Sequence, residues 1–494
     1  MRTAAFPEAV MVSGIVVAAL LAGLAVLSGD PRGRAWGMLG ALVLTPVLLI
    51  AEIWESPQLQ SLRDQPVVIA IAAGAGLALL GALISLFTRR PAWLAPAVAA
   101  TLPFRVPIEA GGSTANLLVP LYLVLAAGAL VWLVPRLRGR SGSGGDDPAR
   151  GKSARALPWL LVGAVVLYAI QSAYSADVSK ALEQVVFFYV PFALLFAVLR
   201  ELDWTPAMAG RCLTVLVALA LVFAAIGFVE YWQRELLLNP KVIASNQFES
   251  YFRVNSLFFD PNIYGRFLAL VMLGLVAVLL WDAAPRRRWA IAIAVAVLWC
   301  GLLLTLSQSS FAALLLGLAV LAALRWHLRR TVYAAAAVLV LAAGFVALFP
   351  GTTGVELGDR ESLDDATSGR YGLVAGGVEL AADRPLYGWG AGSFSREYRR
   401  QKRASSERAA SASHTIPVTV AAEQGVIGLA VYLALLACAL AALLRGAGRG
   451  PARAAVAAAF CALVLHTWLY ASFLEDPLAW ALLAVGTALA LRDP

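Results

Sequence analysis

Charge, histidine and cysteine are scarce in this chain of 494 residues. Only 14% of the residues are charged, against roughly a quarter in an ordinary soluble domain, and 61% are hydrophobic. A single water-soluble core could not hide that much apolar surface, so lipid must solvate most of the chain. The four cysteines, Cys212, Cys300, Cys438 and Cys461, lie in or beside apolar runs with no CxxC spacing, which excludes a disulfide framework and a zinc site of the usual kind. Three histidines, His327, His414 and His466, are too few and too scattered for a metal cluster. No metal or other cofactor is expected.

Apolar runs are what the chain has in abundance. Candidate spans fall near 9–28, 35–54, 67–88, 92–106, 116–135, 157–173, 181–200, 211–233, 259–282, 288–306, 308–325, 331–349, 424–445, 453–471 and 476–492. The run at 92–106 is short and Pro-rich and reads as re-entrant or broken. The first run has only Arg2 before it and no clear cleavage site before Asp30, so it reads as an uncleaved span. The expected fold is therefore all-α, a polytopic membrane protein of about 12–15 transmembrane helices with one large extracytoplasmic loop.

The formal net charge of +9 reflects topology and not nucleic acid, because the basic residues cluster on every second loop. The clusters are Arg32 and Arg34, Arg89 and Arg90, the Arg/Gly/Ser-rich stretch 136–155, Arg200 and Arg211, Arg286 to Arg288, Arg325 to Arg330, and Arg445 to Arg453. The positive-inside rule then puts the C-terminus in the cytoplasm and the loops at 174–180, 234–258, 350–413 and 472–476 outside. Four regions follow: N-terminal spans and a basic loop over 1–156, central spans over 157–349, the large outer loop over 350–413, and C-terminal spans over 414–494.

The chemistry-bearing residues gather on the outer side. Arg253 stands in YFRVNSLFFDPNIYGR, Asp260-Pro261-Asn262 open a span, and Arg266 lies about one turn inside it. Arg370 stands in SGRYGL and His414 in SASHTIPVTVAAEQGVIGL. A guanidinium suits an anionic oxygen group, and one near hydrocarbon is costly unless it is paired or lines a wet cavity. A histidine at the head of a span, kept neutral by nearby cations, can take a proton from a hydroxyl. Plainer readings stand beside these. Arg253 and Arg266 can snorkel to headgroups, Asp260 and Pro261 can simply start a helix, and His414 can be a surface residue. His466 reads as packing within its span, and Glu475 with Asp476 as a loop marker.

Four segments together resemble the O-antigen ligase/polymerase family. His414-Thr415, nine residues and then Gly425-Val426-Ile427-Gly428 is similar to the family's histidine motif, with Glu423 and Gln424 in similar surroundings. SGRYGLVAGGVELAADRPLYGWGAGSF resembles its Arg-headed helix and DxPLxGxG turn, here Asp383, Pro385, Leu386, Gly388 and Gly390. Arg253 with FFDPNIYGRF and the helix start LTLSQSSFAAL are the other two. Thr415 stands where an amide or serine is more usual, and Gln308 and Ser309 replace the usual Arg and Gly.

The resemblance covers roughly 160–490 and implies a GT-C-like membrane glycosyltransferase in the inner or plasma membrane. The implied donor is a glycan on undecaprenyl diphosphate and the acceptor a glycan or lipid hydroxyl. Arg253, Arg266 and Arg370 would hold the diphosphate, His414 would be the base, and Asp260, Asn262, Thr415 and Glu423 would support them. The implied reaction inverts the sugar carbon and uses no metal. A lipid-linked oligosaccharide flippase is the alternative, although it would not need a large outer loop ending in a histidine motif.

Overall fold

The computed structural model describes residues 7–54, 60, 65–110, 113–139, 152–237, 252–281, 284–326, 329–330, 333, 370–402, 413 and 415–492. The predicted span 331–349 and most of the loop 350–413 lie outside them. Among the described residues, twelve helices are long and apolar enough to cross a membrane, as expected of a polytopic all-α protein.

The N-terminal helices are α1 (Glu8–Leu27), α2 (Pro31–Ile53) and α3 (Pro66–Arg89). A short α4 (Leu94–Thr101) and the strands β1 (Val106–Ala110) and β2 (Ser113–Leu117) follow. Next come α5 (Val119–Leu137), α6 (Lys152–Gln171), α7 (Val178–Gln184), a π-turn at Val185–Tyr189, and α8 (Val190–Glu201). The second half has α9 (Pro206–Gln233), α10 (Pro261–Trp281), α11 (Pro285–Thr305), α12 (Gln308–Arg325), α13 (Arg370–Asp383), α14 (Phe394–Lys402), α15 (Ile416–Leu444), α16 (Pro451–Leu469) and α17 (Pro477–Arg492).

Proline sets many helix starts. At the first helical position it loses no hydrogen bond, and its φ is already helical. Side-chain caps start others: Asp30 accepts from the amides of Arg32 and Gly33, Thr205 from Met208, and Ser307 from Ser310.

Every residue from Val185 to Leu199 is buried, so this apolar-all-round helix is the axis of the larger core. Side chains of α1, α2, α5, α6, α15 and α17 pack around it. A second core joins α9 to α12. Helix α16 serves both: Phe460 and Leu463 enter the first, while Ala454, Ala458 and Ala462, spaced by four, let it lie close against the second. Helix α3 buries only Phe87 and otherwise presents apolar side chains outward.

The predicted span 92–106 is broken, in keeping with its prolines, and only its bounds as one continuous run are corrected. It is a short helix followed by an irregular segment and an antiparallel hairpin pairing Val106 with Leu117. Pro103 disfavours helix in the residue before it, and Arg105 is a charge that a plain spanning helix would have to bury. Pro96 shares a groove with Gly210 and Val217 of α9, and the Phe104 ring meets Phe223 further along that helix at 5.8 Å. The segment thus runs beside α9 as a broken crossing. The predicted span 424–445 is also corrected: its helix starts eight residues earlier, at Ile416, and bends at Gly425.

The basic clusters of the short connecting loops collect at one end of the bundle. Arg34 pairs with Glu201 at 2.7 Å, Arg325 donates to the Leu280 carbonyl at 3.0 Å, and Arg453 donates to the Arg445 carbonyl at 2.6 Å. The chemistry-bearing residues lie at the opposite end.

Candidate active site

Two sequence motifs some forty residues apart fold onto one another. At Gly425 the backbone of α15 takes φ 66° and ψ −166°, a conformation open essentially to glycine. The bend frees backbone groups that a straight helix would pair internally. The turn 383–390 takes them up: Val426 N–H donates to the Pro385 carbonyl at 2.7 Å, Trp389 N–H to Ala422 at 3.0 Å, and Gly390 N–H to Glu423 at 2.8 Å. A Cβ on Gly388 would fall on the Glu423 carbonyl, and one on Gly425 on Leu386. The glycines of both motifs are therefore needed for backbone-to-backbone approach.

Glu423 is buried and locks the far side of the turn. Its two carboxylate oxygens accept from the amides of Gly392 and Phe394, each at 3.0 Å. The 171–175 segment closes over the same turn, with Gln171 Nε2 donating to the Gln424 carbonyl at 3.2 Å and Ser175 Oγ to Ala391 at 2.6 Å.

Arg253, Asp260, Asn262 and Arg266 come together where α10 starts. Arg253 donates from Nε to the Thr305 carbonyl at 2.9 Å and from Nη2 to Asn262 Oδ1 at 3.2 Å. Asp260 accepts from Asn262 N–H and from the Tyr470 hydroxyl, both at 2.6 Å, so it both caps the helix and reaches across to the end of α16. Asn262 Oδ1 also accepts from Ser307 Oγ at 2.8 Å. Behind this lie Ser309 and Ser310, each 3.3 Å from His466 Nε2. His466, read from sequence as packing, is in fact a buried member of a polar network. Arg266 is buried and forms an ion pair with Asp476, which is thus more than the loop marker its sequence context suggests. A buried guanidinium needs such a carboxylate, because losing either partner would strand a buried charge.

On the other side of the 470–476 loop is a cavity of about 120 Å³. Tyr168, Lys180, Gln184, Thr419, Glu423 and Glu475 supply its polar lining. Ser472 lines it too, and the Ser472 carbonyl faces Arg266 Nη1 at 3.5 Å, so the cavity and the arginine cluster flank one loop. Lys180 pairs with Glu183 at 2.7 Å. Burial pushes the Glu475 carboxyl above its ordinary value, against the opposing pull of Lys180. Arg105, from the broken crossing, stands within electrostatic range of Asp476, Arg266, Tyr122 and Glu475. It was no candidate from sequence. The signal for it was a charge inside a Pro-rich apolar run, which marks function when the crossing is discontinuous.

The remaining expected site residues are placed as follows. Arg370 begins α13, and its side chain lies outside the described residues, as does His414. Ser413 and Thr415 bracket His414. Ser413 Oγ contacts Thr419 Oγ1 at 2.9 Å and donates to the Thr415 carbonyl at 2.7 Å, and Thr419 lines the cavity. The Thr415 side chain makes no capping bond. Among the described residues, no group of three histidine, cysteine or acidic side chains is arranged to hold a metal ion.

Residues 293–433 match the family model described as O-antigen ligase. The match takes in the SQSS helix start, the DxPLxGxG turn and the bend at Gly425. Among curated proteins, none matches the chain.

Proposed function

Since the protein is O-antigen ligase/polymerase-like over residues 293–433, we propose that it transfers a glycan from undecaprenyl diphosphate to an acceptor hydroxyl at the outer face of the membrane. At the general level it is a multi-pass membrane protein of glycan ligation or polymerisation. The observation that carries the finer reading is the interlock of the DxPLxGxG turn with the Gly425 bend, beside a cavity and at the same end as the arginine cluster.

In this reading His414 takes the proton from the acceptor hydroxyl. The hydroxyl oxygen forms the new bond to the anomeric carbon, the carbon–oxygen bond to the diphosphate breaks, and the lipid diphosphate leaves with inversion. Cationic side chains stabilise the charge that develops on the leaving group, so the step needs no metal. Arg253 and Arg370 are assigned to the diphosphate. Arg266, already paired with Asp476, contributes as part of a buried ion pair. Arg105 joins the cluster as a further cation. Asp260 and Asn262 orient Arg253, while Glu423 and Thr415 shape the segment that carries His414. The basic end faces the cytoplasm, and the loop 350–413 lies outside with the site.

The test uses protein in lipid with a panel of labelled glycans on undecaprenyl diphosphate, with and without a lipid A-core acceptor, beside His414→Ala. Longer or transferred products that vanish in the variant are expected. Products unchanged in the variant would overturn the assignment of the base. Movement of intact donor across the bilayer, with no product from any donor, would replace the enzyme with a transporter.

A further inference from the structure

A second cavity lies at the basic end, remote from the site above. It is a groove of about 1110 Å³ between the Pro91–Trp93 turn, α4, α9, α10 and α11. That volume is at or above the upper end of ordinary small-ligand sites. Its walls are apolar, with Leu213 and Val217 on one side and Leu275 and Ile291 on the other. Three arginines, Arg90, Arg211 and Arg287, line it, and no acidic residue does. Among the described residues none of the three has an ion pair.

The register of these arginines fixes their depth. Arg90 caps the end of α3, Arg211 is in the second turn of α9, and Arg287 is in the first turn of α11. All three therefore sit near helix ends, at the level of lipid headgroups. Val217 is six residues deeper along α9 than Arg211, which at 1.5 Å per residue is about 9 Å into hydrocarbon. Trp93 stands exposed at the rim, the position favoured by aromatic belt residues.

We propose that this groove binds an anionic phospholipid, with its phosphate held by Arg90, Arg211 and Arg287 and its acyl chains laid along α9 and α10. The charge pattern selects this occupant. A soluble anion would leave the apolar depth unfilled, and an apolar helix of a second copy would leave three guanidinium groups without counter-charge. An anionic amphiphile satisfies both parts of the groove, and basic pockets between spans at the cytoplasmic level suit such headgroups. The groove wall includes α4, so a bound lipid would also brace the broken crossing that carries Arg105.

The experiment measures retention of phosphatidylglycerol against phosphatidylcholine by full-length protein in mixed nanodiscs, read by native mass spectrometry. The variants are Arg90→Gln/Arg211→Gln/Arg287→Gln together, and Gly210→Leu. A Cβ at Gly210 meets nothing within 4 Å, so the larger side chain grows into open groove without disturbing the fold. Wild-type protein is expected to retain phosphatidylglycerol preferentially. The triple variant should lose at least tenfold of that preference, and Gly210→Leu should lower retention of both lipids. Equal preference in wild type and triple variant would overturn the proposal. Displacement of phosphatidylglycerol by millimolar inorganic phosphate would replace the lipid with a soluble anion. A dimer that Gly210→Leu dissociates would replace it with a second copy of the chain.

Discussion

At the residue scale, two carboxylates near the cavity have different tasks. Glu423 accepts two backbone amides and so holds the turn that packs on α15. Glu423→Ala leaves two buried donors without acceptors, a loss of about 2–6 kcal/mol. Thermal unfolding in detergent should show a clear drop in midpoint for the alanine variant and a smaller one for Glu423→Gln, which keeps one acceptor oxygen. Glu475 accepts no such pair of backbone amides among the described residues and lines the cavity with a carboxyl raised by burial. A carboxyl raised on folding keeps its proton to higher pH in the folded state than in the unfolded one. Its contribution to stability is therefore fully present below the ordinary carboxylate value and declines as pH rises through the raised one. Melting midpoints followed upward from pH 4 should fall less steeply in Glu475→Gln than in wild type. Parallel curves would show that Glu475 is not the group responsible.

At the scale of elements, the bend in α15 and the turn that fills it form one unit. Gly425→Ala must place a side chain in a backbone region that costs about 1–3 kcal/mol, and must also push Leu386 aside. The expected outcome is loss of transfer activity with the described spans intact. It would be checked by activity in lipid beside limited proteolysis, with new cleavage confined to the 384–402 region. Activity and cleavage like wild type would show that the interlock is dispensable. The pattern H-T-x9-G-V-I-G was legible in the sequence, as was D-R-P-L-Y-G-W-G. Their contact was not. The bonds between Pro385 and Val426 and between Trp389 and Ala422 are backbone bonds, and side-chain identity says nothing about which backbone groups a helix bend will free. The broken crossing was half legible: Pro91, Pro96 and Pro103 argue against a plain helix, and Gly111-Gly112 is an ordinary hairpin signal.

At the scale of the whole molecule, charge placement decides orientation. If the basic end faces the cytoplasm, the two ends must differ in access from outside. In a cysteine-free background, Ser395→Cys on α14 should react with a membrane-impermeant maleimide on intact cells. Arg449→Cys, in the turn after α15, should react only after permeabilisation. The reverse pattern would invert the orientation proposed above.

The sequence by itself determined that this is a polytopic helical membrane protein, because apolar run length and scarcity of charge leave lipid as the only solvent for most of the chain. It also singled out Arg253, Asp260, Asn262 and Arg266, of which the last three are neighbours by their spacing about one helix start, while Arg253 is brought to them by its bonds to Thr305 and Asn262. Only the tertiary structure decided that Arg266 answers to Asp476, two hundred residues away, and that His466 meets Ser309 and Ser310. It alone brought Arg105 into range of that pair. These partners lie far apart in the chain, on helices and on the segments between them, and which elements touch is settled by packing of helix faces that are apolar all round. Apolar faces of that kind carry almost no pairing code in their composition.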